Sequence, residues 1–89
     1  MKALHVMVHG RVQGVWFRAS TQEEARNLGL SGWVRNTSDG GVEIHMQGDD
    51  ALVEQLLNWC HQGSPGASVI RVDAEPVETV EGIKGFTIR

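Results

Sequence analysis

The spacing of apolar residues changes period along this chain, and the order of those changes restricts the fold more than any other feature. Leu4, Val6 and Val8 alternate with His5, Met7 and His9, the period of two that marks a half-buried strand. Phe17, Thr21, Ala25 and Leu28 then recur at helical spacing, with Glu23, Glu24 and Arg26 elsewhere on the wheel. Residues 30–36 return to a strand pattern. Asp39-Gly40 marks a hairpin turn, after which Val42, Ile44 and Met46 alternate with Glu43, His45 and Gln47. Leu52, Leu56 and Trp59 form a second inward helical stripe, widened by Val53, Leu57 and Cys60. Ile70, Val72 and Ala74 alternate with Arg71, Asp73 and Glu75, Pro76 closes that run, and Phe86 and Ile88 suggest a short fifth strand at an edge. The order β-α-β-β-α-β predicts an α+β, ferredoxin-like βαββαβ sandwich, an antiparallel sheet with two helices on one face.

The element boundaries carry their own chemistry. Two capping boxes compete for the start of the first helix, Ser20 with Glu23 and Thr21 with Glu24, while the apolar stripe begins earlier, at Phe17. Burying Phe17 outweighs a cap of ~1 kcal/mol, so the spacing predicts the earlier start. Gly29 is placed as the C-cap, and Asp49 or Asp50 as the N-cap of the second helix, which Gly63-Ser64-Pro65-Gly66 ends.

A chain of 89 residues has room for one domain, residues 1–89. A net charge of −3 is a poor footprint for nucleic acid, which favours basic surfaces. No apolar run approaches the ~20 residues of a membrane span, and the N-terminus lacks the pattern of a signal peptide. Cys60 is the only cysteine, so no internal disulfide is possible and a reducing, cytoplasmic setting is expected. The Asn36-Thr37-Ser38 sequon is then incidental.

Between the first strand and helix stands Gly10-Arg11-Val12-Gln13-Gly14-Val15-Trp16-Phe17-Arg18. Glycines at 10 and 14 permit positive φ and let a ligand approach the backbone. Successive N–H groups in such a loop can converge on an anion, with the positive end of the helix dipole behind them. Arg18 adds a planar fork of donors that matches phosphate geometry. On these residues alone, the loop is either a phosphate or carboxylate site or an ordinary strand-to-helix turn beside a solvated arginine.

The Gly10–Arg18 stretch, followed by Gly32-Trp33-Val34-Arg35-Asn36-Thr37-Ser38-Asp39-Gly40, resembles the two motifs of the acylphosphatases, in the same order and at the same spacing. The resemblance runs from about Leu4 to Arg89. It implies the βαββαβ fold and hydrolysis of acyl phosphates to carboxylate and inorganic phosphate, without metal or organic cofactor. Arg18 is implied as the phosphate-binding arginine, assisted by backbone N–H groups of Val12, Gln13, Gly14, Val15 and Trp16, and Asn36 as the residue that positions the attacking water. The chemistry agrees. A carboxylate leaving group needs no general acid, and Asn36 can orient water through its amide although it cannot act as a base.

The remaining candidates have plainer readings. Arg11 reads as a solvated or structural arginine. His5, His9 and His45 match no strong zinc spacing and read as solvent-facing strand residues. Cys60 reads as a packed small hydrophobe and Asp39 as a turn former. Trp16, Trp33 and Trp59 read as packing residues, Trp16 being the one expected to border a substrate. The expected partner is a small acyl phosphate, acting on a monomer, with no nucleic acid and no membrane. The alternatives are a non-catalytic anion-binding or protein-docking module, such as occurs at the N-terminus of larger maturation enzymes, and an RNA-binding domain of the same broad fold. The expectation that nothing is attached to this chain favours a hydrolase over the former. The sheet positions His5, Met7, Glu43 and His45 lack the aromatics required for the latter.

Overall fold

The computed structural model describes residues 1–89 as five strands and two helices in the order β1 (Lys2–Arg11), α1 (Phe17–Asn27), β2 (Ser31–Asn36), β3 (Val42–Gly48), α2 (Asp50–Gln62), β4 (Ser68–Val77) and β5 (Phe86–Ile88). The strands lie side by side as β4-β1-β3-β2-β5. Alternation decides which face each residue takes. Leu4, Val6 and Val8 pair in register with Met46, Ile44 and Val42, and all six are buried beneath both helices. Phe17 and Ala25 of α1 and Val53, Leu56 and Cys60 of α2 close the same core, with Phe86 of β5.

Helix α1 starts at Phe17, as the apolar stripe predicts. Neither capping box forms: the N-cap is Trp16, without a side-chain cap, and the Thr21 hydroxyl donates to the Phe17 carbonyl at 2.7 Å. Asp49, of the two aspartates considered, caps α2, its carboxylate accepting from the N–H groups of Ala51 (3.1 Å) and Leu52 (3.3 Å).

The structure departs from the sequence pattern at several points. The sheet is mixed rather than antiparallel, because β5 runs parallel to β2 while the other pairings are antiparallel. Strand β4 ends on the edge opposite β2, so residues 78–85 must cross the helix-free face before β5 can pair. Gln47 holds that crossing, donating to the Val80 carbonyl at 3.0 Å and accepting from its N–H at 2.8 Å. His45 is consequently buried rather than solvent-facing, beside the equally buried Gln47, and Trp33 stacks on it. The inward stripe of α2 centres on Val53, Leu56 and Cys60, leaving Leu52, Leu57 and Trp59 half-buried at its margins. Pro76 does not end β4: the strand continues through it to Val77, tolerable on an edge where the missing N–H costs no ladder bond. A bulge where Gly10 pairs with Val69 and His9 with Arg71 leaves Ile70 unpaired, so Ile70 projects into solvent and Val69 and Val72 face the core. The helix-ending Gly29 is one position beyond the C-cap, which is Leu28, and the Asp39-Gly40 turn is part of a longer connection closed by Thr37 N–H to the Gly41 carbonyl at 2.9 Å.

Candidate active site

Strand pairing brings the two motifs to one edge of the sheet. Val42 lies opposite Val8 of β1 on one side and Asn36 of β2 on the other, so the loop leaving β1 and the end of β2 are neighbours. Asn36 has the same parity as the core residue Val34 and therefore projects to the helix side of the sheet, where α1 begins. Together Val12, Gly14, Trp16, Phe17, Arg18, Ala19, Asn36 and Ile88 line a cleft of about 390 Å³.

Two side chains fix the loop from outside. The Gln13 amide donates to the Thr37 and Gly41 carbonyls, both at 2.8 Å, binding the loop to the β2–β3 connection. The Ser64 hydroxyl donates to the Val15 carbonyl at 2.8 Å, anchoring it to the end of α2. Gln13 and Val15 thus belong to the loop without lining the cleft. The β2–β3 connection is stiffened in turn: Gly41 N–H reaches the Thr37 hydroxyl (3.1 Å) and the Asp39 carboxylate (3.2 Å). The Thr37 hydroxyl also donates to Asp39, and that bond, with the Gly41 N–H, holds the Asp39 carboxyl below its ordinary range. Asp39 is a turn former, as its sequence position suggests.

The loop itself is strained and rich in free donors. Gly14 has φ 75°, and Trp16 adopts the left-handed region at φ 64°, the only non-glycine residue in the chain with positive φ. Holding a tryptophan there costs about 1–3 kcal/mol, a cost found mainly at functional positions. The first bond of α1 runs from Ser20 N–H to the Trp16 carbonyl, and no N–H from Gln13 to Ala19 has a partner in the chain. No acidic side chain occupies the first turn, so the positive end of the helix dipole is uncompensated. Arg18 stands in that turn, exposed, while the lysine and arginine side chains that form ion pairs are Lys2, Arg35 and Arg71. Asn36 contributes a buried amide oxygen, Oδ1, that has no hydrogen-bond partner. A buried polar atom in this state costs about 1–3 kcal/mol unless a ligand or water satisfies it.

Other candidates lie elsewhere. Arg11 is exposed at the end of β1, outside the cleft. On the helix-free face, His5 bonds Glu43 at 2.6 Å, His9 bonds Asp73 at 3.2 Å and His45 bonds Gln47 at 2.8 Å. Those contacts separate the histidines into different pairs. Trp33 packs between His45 and Arg89, and Trp59 packs on Phe17 at 5.4 Å between ring centroids. Sequence reasoning missed Ile88 as a cleft residue and Gln13 and Ser64 as tethers. Ile88 carried a signal, since it lies two residues after the buried Phe86 on the same face of a strand.

A βαββαβ sandwich whose cleft gathers unpartnered loop N–H groups, a free arginine and an orphaned amide belongs to the class of small α+β domains with a site for a polar ligand. The acylphosphatase family model matches residues 4–88. The chain is 53% identical over 85 residues to an acylphosphatase of Haloquadratum walsbyi, covering 96% of this chain and 90% of that one. It superposes on the crystal structure of acylphosphatase from Bacillus subtilis with a TM-score of 0.95 at 36% identity, covering 100% and 99% of the two chains. It also superposes on 12% of the Thermococcus kodakarensis HypF structure, with a TM-score of 0.86 at 29% identity over all of this chain. This chain belongs to the acylphosphatase family.

Proposed function

We propose that, in the acylphosphatase reaction, the N–H groups of the 12–16 loop and the guanidinium of Arg18 hold the phosphoryl group and Asn36 positions the attacking water. The enzyme hydrolyses the carboxyl–phosphate bond of acyl phosphates. Water oxygen bonds to phosphorus as the bond from phosphorus to the acyl oxygen breaks, its electron pair leaving on the carboxylate. The water's proton passes to a phosphoryl oxygen of the substrate itself. The carboxylate leaves as a stable anion, so the reaction calls for charge stabilisation and alignment rather than an acid. Arg18 and the loop N–H groups meet the developing charge, and the Asn36 carbonyl accepts from the water, directing a lone pair at phosphorus.

The observation that carries this assignment is the buried, unpartnered Asn36 Oδ1 in the same cleft as Arg18 and the free loop donors. Both lone pairs of this oxygen are free, so a water placed in the cleft is the acceptor's natural donor. In this reading the chain works as a single domain, a cytoplasmic monomer, and Arg18 and the loop donors supply the positive charge that a metal or organic cofactor would otherwise bring. The test is hydrolysis of benzoyl phosphate in chelator by the wild type and by folded Arg18→Ala and Asn36→Ala variants. Wild type is expected to remain active and both variants to lose nearly all turnover. Undiminished turnover in either variant removes the role assigned to that residue, and a wild type no faster than buffer leaves an anion-binding module instead.

A further inference from the structure

Two features of the cleft go beyond holding a phosphoryl group. It offers about 390 Å³, within the range of pockets that enclose whole small molecules, whereas a phosphoryl group is a single tetrahedral centre. Its lining away from Arg18 and Asn36 is apolar, made by Val12, Trp16, Phe17, Ala19 and Ile88. Val12 and Phe17 are buried core residues and form the floor. Trp16 is 81% exposed and Ile88 41% exposed, so these two are the walls that still present apolar surface to whatever enters.

Trp16 combines two unfavourable features, a left-handed backbone and an indole held largely in water. Glycine would accept the same φ without strain. A tryptophan at the lip of an apolar cleft becomes favourable when a flat apolar group covers it, because stacking returns the exposed indole to a nonpolar setting. Ile88 reaches the cleft from the far edge of the sheet, and its branched side chain supplies the second wall.

We propose that Trp16 and Ile88 form an acyl-group subsite, which makes this enzyme selective for acyl phosphates with an aromatic or other bulky apolar tail over those with small tails. The inference rests on the phosphate assignment above, since the tail is placed only when the phosphoryl group is held by the loop. The side chains of both residues act on the acyl group alone, while the Trp16 backbone N–H stays with the phosphate loop in every variant. The subsite interacts with the acyl group alone, so its contribution is visible as a ratio between two substrates that share the phosphoryl end.

The test compares kcat/KM for benzoyl phosphate and acetyl phosphate in the wild type and in Trp16→Ala, Trp16→Gly, Trp16→Phe and Ile88→Ala proteins. Inhibition by inorganic phosphate is measured on each. The benzoyl-to-acetyl ratio is expected to fall about tenfold in Trp16→Ala and Trp16→Gly, less in Ile88→Ala, and to recover largely in Trp16→Phe. Trp16→Gly is expected to melt no lower than Trp16→Ala, because it relieves the backbone strain, so loss of selectivity in it is not loss of folding. An unchanged ratio in Trp16→Gly and Ile88→Ala overturns the subsite, even where both substrates slow together. A wild type that phosphate does not inhibit overturns the underlying phosphate reading instead, and the two failures are read separately.

Discussion

Arg18 and Asn36 differ in what they leave unpaired, and each difference makes a prediction. Arg18 presents a guanidinium without a carboxylate partner, so its fork is free for two parallel bonds to phosphoryl oxygens. Arg18→Lys keeps the charge but loses the fork, and kcat/KM for benzoyl phosphate is expected to fall roughly ten- to a hundredfold, with phosphate inhibition weakened in step. Asn36→Ala removes the orphaned oxygen that orients water. Its kcat should fall on the order of a hundredfold while phosphate inhibition stays near wild type, a split that steady-state kinetics resolves. On the other face of the sheet, the hydrogen bond from His5 holds the Glu43 carboxyl below its ordinary value of 4.5, and Arg35 adds to it against the opposing effect of burial. A carboxyl with a lowered folded-state pKa contributes stability that is present above its unfolded value and lost as pH falls through the folded one. Urea unfolding is therefore expected to show wild type losing more stability than Glu43→Gln between about pH 5 and about pH 3. Cys60 behaves oppositely, because burial pushes its thiol up to about 12, and its alkylation at neutral pH should follow global unfolding rather than surface exposure.

At the scale of elements, the strand-to-helix loop keeps its shape through contacts made by its neighbours. Gln13 spans from the loop to two carbonyls of the β2–β3 connection and so couples the Arg18 motif to the Asn36 motif. Gln13→Ala is expected to lower kcat for benzoyl phosphate and acetyl phosphate alike, without shifting their ratio, since it loosens the registration of the two motifs but leaves the acyl walls. Gly10 acts earlier in the chain: a Cβ there would run into the Ser68 carbonyl and sit 2.8 Å from the Ile70 nitrogen at the bulge. Much of this arrangement was legible in the sequence because period and turn chemistry are local. The Phe17 start of α1, the faces of β1 and the burial of Val42, Ile44 and Met46 all followed from spacing. The centre of the α2 stripe did not, because Leu52, Val53, Leu56, Leu57, Trp59 and Cys60 are apolar on a wide arc and only the packing partner selects its middle. Ile70 was misplaced for a similar reason: a bulge is fixed by the partner strand, where Gly10 admits the extra residue. Arg18 and Asn36 were legible through motif order and spacing, while Ile88 needed the tertiary fold to bring the chain's end back to the cleft.

On the scale of the whole molecule, the site depends on a segment that crosses the sheet far from it. Strands β4 and β5 occupy opposite edges, so residues 78–85 traverse the helix-free face and deliver Phe86 to the core and Ile88 to the cleft. The crossing has little apolar content to bury and is pinned through its backbone, with Gln47 satisfying both the N–H and the carbonyl of Val80. On arrival, Gly32 N–H bonds the Gly85 carbonyl at 3.0 Å, Arg89 N–H bonds the Val34 carbonyl at 2.9 Å, and the Gln22 amide of α1 reaches the Phe86 carbonyl at 3.0 Å. Removing Gln47 strands two backbone groups and the His45 partner together, which costs more than a single exposed hydrogen bond. Gln47→Ala is expected to lower unfolding stability by about 1–3 kcal/mol and to raise amide exchange first at Val80 and then along β5. Because Phe86 and Ile88 share that strand, the same variant should lose benzoyl phosphate activity more than acetyl phosphate activity while its inhibition by phosphate is kept. Exchange confined to residues 78–85 with an unchanged substrate ratio would show that β5 holds its place without the crossing, through its pairing with β2 and the Gln22 bond alone.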